Sequence, residues 1–218
     1  MKVSALLGFG LVAAAAVPSR PALAKVDVTV YKERNGALIA DFEGASDDGC
    51  VVTQTHILFT EAVFFESGTP PTTQPPTTQV TLDYSNACTG EFFELAGGTT
   101  QQSFQMTGDL GKASLIATVP VSDETGTNSA SVSINATWKA NAPLQRAKST
   151  TITRDAGTIT VDHLDAETRT ADVTGPVATV LMLEAGPTAI DLSRFPEGGQ
   201  LSKQNNGTRT VTVVRRKH

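Results

Sequence analysis

Cysteine, histidine and aromatic residues are scarce in this chain. Its 218 residues include two cysteines, three histidines, one tryptophan and two tyrosines, and 18% of them are charged. So few cysteines exclude a disulfide-dense miniprotein, and the lack of repeated long apolar runs excludes a polytopic helical membrane protein. Acidic residues outnumber basic ones by 22 to 17, so charge gives no reason to expect a nucleic-acid partner. An ordinary hydrophobic content of 39% excludes a wholly disordered chain.

The one strongly apolar segment lies at the N-terminus. Met1 and Lys2 precede a mostly apolar run from Val3 to Val17, Pro18 ends that run, and Ala22-Leu23-Ala24 follows. A positive start, a short apolar run and small residues in an A-x-A pattern are typical of a secretory signal peptide. The run of about 15 residues is short for a transmembrane helix, and an uncleaved anchor is the alternative.

The sequence therefore predicts a signal peptide over 1–24 and an exported chain over 25–218, secreted or periplasmic, with no transmembrane segment after cleavage. In such a chain an even cysteine count favours a disulfide between Cys50 and Cys88. A catalytic redox pair is disfavoured, because such pairs usually have C-x-x-C spacing.

Apolar residues recur with a period of two along most of the chain. Val26, Val28 and Val30 alternate with polar residues, as do the apolar residues of Ser131 to Trp138. Many short strands of this kind, rich in threonine and valine, indicate an all-β fold, and we expect an antiparallel β-sandwich, Ig-like or jelly-roll-like. The polar stretch at 122–129 is either a long hairpin loop or a boundary between two small tandem sandwiches.

Four local patterns predict turns, loops or an ambiguous element. The dipeptides Asn35-Gly36 and Asn206-Gly207, each flanked by strand-like residues, predict hairpin turns. Pro70 to Gln79 repeats Pro-Pro-Thr-Thr-Gln and predicts an exposed polyproline II loop, or a docking segment for an aromatic groove. Val180 to Ala185 fits a short helix or a strand equally well.

The strand from Ser131 to Lys139 ends in Asn-Ala-Thr-Trp-Lys and is followed by threonine-rich strands. In this it resembles a group of exported bacterial proteins rich in β-structure. The resemblance implies an exported β-sandwich of bacterial origin and implies no activity.

Motifs of the common catalytic and nucleotide-binding families are absent from the sequence. It has no G-x-S-x-G, P-loop, dinucleotide fingerprint or H-E-x-x-H. A histidine-dependent mechanism would have to use His56 or His163, because His218 is the terminal residue. We expect no catalysis, and a secreted hydrolase built on either histidine is the alternative.

Two acidic clusters are candidate metal ligands. Asp47 and Asp48 precede a glycine in a tight turn and offer oxygen ligands that suit calcium. Asp162, His163 and Asp165 crowd together in a second cluster, where alternate residues of a strand would share a face. Each cluster also fits a solvated turn, so calcium is the one cofactor considered.

The sequence Phe-Phe-Glu occurs twice, and the phenylalanines of both copies are candidate ligand-binding residues. Adjacent phenylalanines in a strand point to opposite faces, so one member of each pair is either covered by a second layer or exposed as part of a binding surface. The four residues are Phe64, Phe65, Phe92 and Phe93.

From these observations we expect an exported, non-catalytic β-sandwich protein that acts as a binding, adhesive or structural module of the cell envelope or medium. The partners considered are an envelope polysaccharide and another envelope protein, and no nucleic acid. The alternatives are a calcium-dependent sandwich module and the secreted hydrolase.

Overall fold

The protein is built almost entirely of β-strands. The computed structural model describes residues 25–46, 48–183, 186–192 and 195–215, and within these ranges the backbone forms twelve strands and no helix. The strands are β1 (Lys25–Ala45), β2 (Val51–Glu66), β3 (Thr72–Asn86), β4 (Glu91–Thr99), β5 (Gln102–Met106), β6 (Lys112–Ser122), β7 (Ser129–Ala140), β8 (Gln145–Asp155), β9 (Thr158–Thr174), β10 (Val177–Leu183), β11 (Gly186–Asp191) and β12 (Phe195–Arg215).

All of these strands belong to one antiparallel sheet that closes on itself. The order is β11-β10-β7-β6-β4-β3-β2-β1-β12-β9-β8, and β5 also pairs with β6. A further pairing between β7 and β9 joins eight of the strands into a ring, while β8 and the β10–β11 hairpin branch from it. The ring is weakest between β4 and β6, where the one registered pair is Ala96 with Ser122. The prediction of an all-β antiparallel fold is confirmed.

The ring encloses a hydrophobic core between two layers. Phe59 of β2 stacks on Phe104 of β5, with ring centroids 4.0 Å apart, and the Trp138 indole of β7 donates a 2.8 Å hydrogen bond to the Ile39 carbonyl of β1. These contacts join strands that are not neighbours in the sheet, so the layers hold one another. The largest fully buried side chains are Trp138, Tyr84, Phe42, Phe59 and Leu38.

A glycine makes the central contact possible. A Cβ at Gly199 of β12 would lie 2.4 Å from Val173, 2.8 Å from the Ile39 carbonyl oxygen and 2.9 Å from the Trp138 ring. No side chain fits there without displacing the layers, and even one extra methyl group is felt in a close-packed interior. Gly199 is therefore required for Trp138 to reach the opposite layer.

Both Asn-Gly dipeptides lie inside strands, so the hairpin turns predicted there are wrong. Asn35-Gly36 lies within β1 and Asn206-Gly207 within β12, and the two strands pair with each other at this level. The register shifts between Glu33 and Asn35, where β12 carries one more residue than β1. A β-bulge takes such an extra residue, and asparagine and glycine suit its irregular backbone as well as they suit a turn.

Most of the proline repeat also belongs to a strand and not to a loop, and only Pro70 and Pro71 precede β3. Thr72–Asn86 forms β3, and its first part pairs with the end of β2. The register shifts between Thr60 and Ala62, opposite Pro75 and Pro76. Proline has no N–H for a ladder, so bulges are among the few places in a sheet that accept it. Of the ambiguous segment from Val180 to Ala185, the part up to Leu183 is likewise a strand, since Val177–Leu183 forms β10, and 184–185 lie outside the described residues.

These bulges mark the level at which part of the sheet leaves the sandwich. We call this part the extension: residues 25–35 of β1, 62–66 of β2, 158–165 of β9, 206–215 of β12, and β8. It is a single layer with solvent on both sides, because Val28 is 54% exposed on one face and Tyr31 is 39% exposed on the other. Bulges bend strands and increase their twist, so we expect the sheet to bend at this level.

The turn between β6 and β7 is organised by one carboxylate. Asp123 accepts hydrogen bonds from the backbone N–H groups of Thr125, Thr127 and Asn128, and from the side chains of Thr125 and Asn128. Desolvation of the carboxylate raises its pKa, but the hydrogen bonds from Thr125, Asn128 and Thr127 together outweigh it and lower the pKa to about 2. The stretch at 122–129 is thus a hairpin connection between paired strands.

We expect the Asp123 turn to make stability depend on pH below 4. A carboxyl whose folded-state pKa lies below its ordinary value stabilises the fold above that ordinary value, and this is lost as pH falls through about 2. Asp123→Asn should melt at a lower temperature than the wild type at pH 7, and the two should converge as pH falls from about 4 towards 2. Glu124→Gln, at the exposed neighbouring position, is the control. A difference that persists at pH 2 would show that the carboxylate charge is not responsible.

Candidate functional site

A groove of about 910 Å³ lies on one face of the extension. Most of its side chains come from the face that carries Tyr31, Arg209, Asp162 and Thr151, which are paired in register across β1, β12, β9 and β8. Ligand sites usually enclose roughly 300–1,000 Å³, so the groove has the size of such a site.

Apolar and aromatic groups form one part of the groove lining. Tyr31 and Leu164 are each 39% exposed, and Phe64 and Val211 are half-buried beside them. Gly207 of β12 lies between these strands. Because it has no side chain, it leaves space in the groove above the backbone. The lining therefore offers ring and aliphatic surface that solvent can reach.

An ion pair lies next to the apolar lining. Arg209 Nε donates to Asp162 Oδ1 at 2.7 Å, with the two side chains 61% and 38% exposed. The hydrogen bond to Asp162 raises the pKa of Arg209, and the negative charge of Asp162 adds to this effect. Hydroxyl groups of Ser149 and Thr151 line the groove close by. The groove thus combines an aromatic ring, a paired cation and anion, and hydroxyl groups.

Cys50 and Cys88 form the disulfide that the sequence predicts, with sulfurs 1.99 Å and Cα atoms 5.3 Å apart. Cys50 precedes β2 and Cys88 follows β3. The bond therefore joins the open end of the β2–β3 hairpin, opposite the turn at Ser67 and Gly68.

Of the first acidic cluster, Asp47 lies outside the described residues. Asp48 accepts hydrogen bonds from Ser46 Oγ and from the Cys50 backbone N–H, and these bonds lower its pKa. The carboxylate thus stabilises its own turn. Asp48 follows the C-terminal end of β1, about 14 residues and roughly 45 Å of extended chain from the groove.

The second cluster is divided between the two faces of the sheet. Asp162 faces the groove and pairs with Arg209, while His163 and Asp165 alternate to the opposite face, where His163 still borders the groove. His163 Nδ1 lies 2.8 Å from Thr150 Oγ1, and Asp165 lies 3.1 Å from Lys148 Nζ. Each candidate ligand therefore contacts a neighbouring strand, and no group of three or more His, Cys, Asp or Glu side chains that could hold a metal ion occurs among the residues the structure describes.

His56 has an acidic partner on the surface of the sandwich. Its Nδ1 lies 2.7 Å from Asp41 Oδ1, and both side chains are about half exposed. The two residues are register partners on β1 and β2, with Thr81 opposite them on β3. This small surface concavity of about 140 Å³ is separate from the groove.

The two phenylalanine pairs have different surroundings. Phe64 and Phe65 are half-buried and border the groove, whereas Phe92 is 70% exposed on β4. Phe93 stacks on Tyr84 with ring centroids 4.4 Å apart and packs against the core. The four residues thus do not form one surface.

Tyr31 and Arg209 are groove residues that the sequence analysis misses. Each belongs to a strand that the sequence pattern predicts, but nothing in the sequence places β1 beside β12, whose paired residues lie about 150 to 190 positions away. Only that pairing brings Arg209 between Tyr31 and Asp162.

Within the part of the chain covered by the structure, no helix is long and apolar enough to cross a membrane.

Comparisons with known proteins leave the chain without an assigned family. Neither a scan against protein-family models nor a search of curated proteins finds a match. Among solved structures, a Nitrosomonas europaea protein assigned the name AttH is 9% identical, with a TM-score of 0.26 over 87% of this chain and 52% of that one. The chain spans about half the length of that protein.

Proposed function

We propose that the protein is an exported, non-catalytic binding module of the cell envelope or medium, and that the groove on the extension binds its ligand. The observation that carries the proposal is a cavity of about 910 Å³ that places aromatic, aliphatic and ion-paired side chains side by side. Ligand sites combine an apolar lining with a few placed polar groups in this way.

A saccharide chain of the envelope is the ligand class that suits these groups best. A sugar ring presents C–H groups on its faces and hydroxyls around its edge. The Tyr31 ring offers a surface for the former, and Arg209 and Asp162 offer a donor and an acceptor for the latter. Because the ion pair is already formed, the ligand meets fixed polar groups and less ordering is needed on binding.

The disulfide supports an oxidising location. Disulfides persist in extracellular and periplasmic compartments and are rare in the cytosol. Together with the signal peptide predicted over 1–24, this favours a secreted or periplasmic protein.

Thermal unfolding against a panel of soluble polysaccharides tests the proposal. A ligand at a hundred times its dissociation constant adds about 2.7 kcal/mol. For a chain of this size that corresponds to a rise in melting temperature of roughly 5 to 11 °C. Tyr31→Ala should weaken binding about tenfold or more, while Tyr31→Phe, which keeps the ring, should weaken it less.

Phe92→Ala is the matched control for the Tyr31 variants. It removes an aromatic ring that is even more exposed, but on β4, away from the extension. We expect it to leave binding unchanged. If Phe92→Ala abolishes binding and Tyr31→Ala does not, the ligand occupies another surface; if no polysaccharide shifts the melting temperature, the saccharide proposal is wrong.

A further inference from the structure

The face of the extension opposite the groove is a second, chemically different surface. We call it the aliphatic face. Its residues are in register across four strands, with Val28, Thr212 and Ile159 in one row and Val30, Thr210 and Val161 in the next. Its branched aliphatic members are Val26, Val28, Val30, Ile152, Ile159 and Val161.

The apolar side chains of this face are unusually exposed to solvent for a β-sheet. Val26, Val28 and Ile152 are 53%, 54% and 53% exposed. A sheet is stabilised by burying one face against another element, and in the sandwich the same side of β1 is covered by the second layer. Beyond the bulges that layer ends, while the alternation of apolar residues continues. The aliphatic face thus has the composition of a covered surface but no cover within the described chain.

Cations outnumber anions on the aliphatic face. Lys32 lies at its inner end and Arg154 on its edge strand β8, and both are exposed. Asp27, Asp155 and Asp162 lie on the other face of these strands, the one that carries the groove. Lys148 and Asp165 also lie on this face and pair with each other at 3.1 Å. A partner that covers the face therefore meets an excess of two cations.

The size of the face can be compared with what association requires. Six residues of β1, from Asp27 to Lys32, are paired across four strands and cover about 20 by 19 Å, or roughly 380 Å² in projection. Two such faces packed together bury about 760 Å² in projection, below the roughly 1,000 Å² that marks a stable specific interface. An area below that limit suits a weak, reversible dimer.

We propose that two copies of this chain associate through their aliphatic faces. Packing one flat, β-branched face on another is the arrangement by which two sheets form a sandwich, with layers about 10 Å apart. The dimer buries the residues that a lone extension leaves in water, and the groove stays open on each copy's outer side. Because Lys32 and Arg154 repel their counterparts weakly, added salt should strengthen the association.

Sedimentation velocity of the purified, disulfide-bonded protein tests this, from about 1 to several hundred micromolar. We expect a concentration-dependent monomer–dimer equilibrium that shifts towards dimer when the salt concentration is raised. Ile152→Lys should shift the dissociation constant at least tenfold towards monomer, because it puts a charge in the row of Val30 and Val161, at the edge strand of the aliphatic face.

Thr153→Lys is the matched control. Ile152 and Thr153 are adjacent and both exposed on β8, so the two lysines differ mainly in the face of the sheet on which they lie. The control should dimerise as the wild type does, and unchanged thermal unfolding of both variants shows that both fold. A wild type that is monomeric throughout, or an Ile152→Lys variant that dimerises as the wild type does, overturns the proposal. A monomer that instead binds vesicles of anionic phospholipid, with binding weakened by salt, overturns it in favour of a membrane surface.

Discussion

Replacing Trp138 with alanine is expected to lower the free energy of unfolding by about 3–5 kcal/mol, the usual cost of deleting a fully buried large aromatic side chain. Trp138 is fully buried, lies against Gly199 and donates a hydrogen bond to Ile39, which is 99 residues away in sequence. The substitution opens a cavity between the layers and removes the hydrogen bond that links β7 to β1. Urea denaturation followed by circular dichroism measures the loss, since Trp138 is the only tryptophan and the variant has no indole fluorescence.

Trp138→Phe separates the two contributions. It keeps much of the ring volume but loses the N–H donor, so we expect a smaller loss of about 1–3 kcal/mol. Ile116→Ala, at a position that is 54% exposed on β6, is the control and should stay within about 0.5 kcal/mol of the wild type. If Trp138→Ala costs no more than Ile116→Ala, the Trp138 contact does not hold the layers together.

Removing the disulfide with the double substitution C50A/C88A is expected to cost about 3–4 kcal/mol, because the bond closes a loop of 37 intervening residues in the unfolded chain. For a chain of this size the melting temperature should fall by roughly 6 to 16 °C. The bond joins the open end of the β2–β3 hairpin, and β2 borders the groove with Phe64. Calorimetry of the variant beside the wild type measures the change.

Reduction of the wild type provides an independent measurement of the same loss. The reduced wild type and C50A/C88A should melt within a few degrees of each other, since both lack the cross-link. A double variant that melts within about 2 °C of the oxidised wild type would falsify the stabilising role of the bond.

Strand alternation predicted the fold class well because it depends only on local geometry. In Ser129–Ala140 every second residue from Ala130 to Trp138 is buried, the residues between them are exposed or half-buried, and the apolar residues all lie on the core side. A period of two identifies such a strand wherever its partners lie. The disulfide could also be predicted from the sequence, since two cysteines allow only one pairing.

The extension could not be predicted, because it depends on which distant strands pair. Asn35-Gly36 and Asn206-Gly207 carry a turn signal, yet β1 and β12 continue through them as strands of 21 residues each. Tertiary pairing overrode the local preference at both sites. The same pairing brought Tyr31, Arg209 and Asp162 into one groove. The separation of Asp162 from His163 follows instead from strand alternation, which places sequence neighbours on opposite faces.

The bend between sandwich and extension depends on how many residues each strand contains, and much less on which residues they are. At the junction, β12 has one residue more than β1 and β9, and β3 has one more than β2. Such length differences between hydrogen-bonded neighbours persist through any substitution and disappear with a single deletion. Substitutions can therefore change the residues that line the groove without changing the path of the strands beneath it. A one-residue deletion near 205 would restore a continuous ladder and straighten the sheet, although it would remove no side chain from the groove.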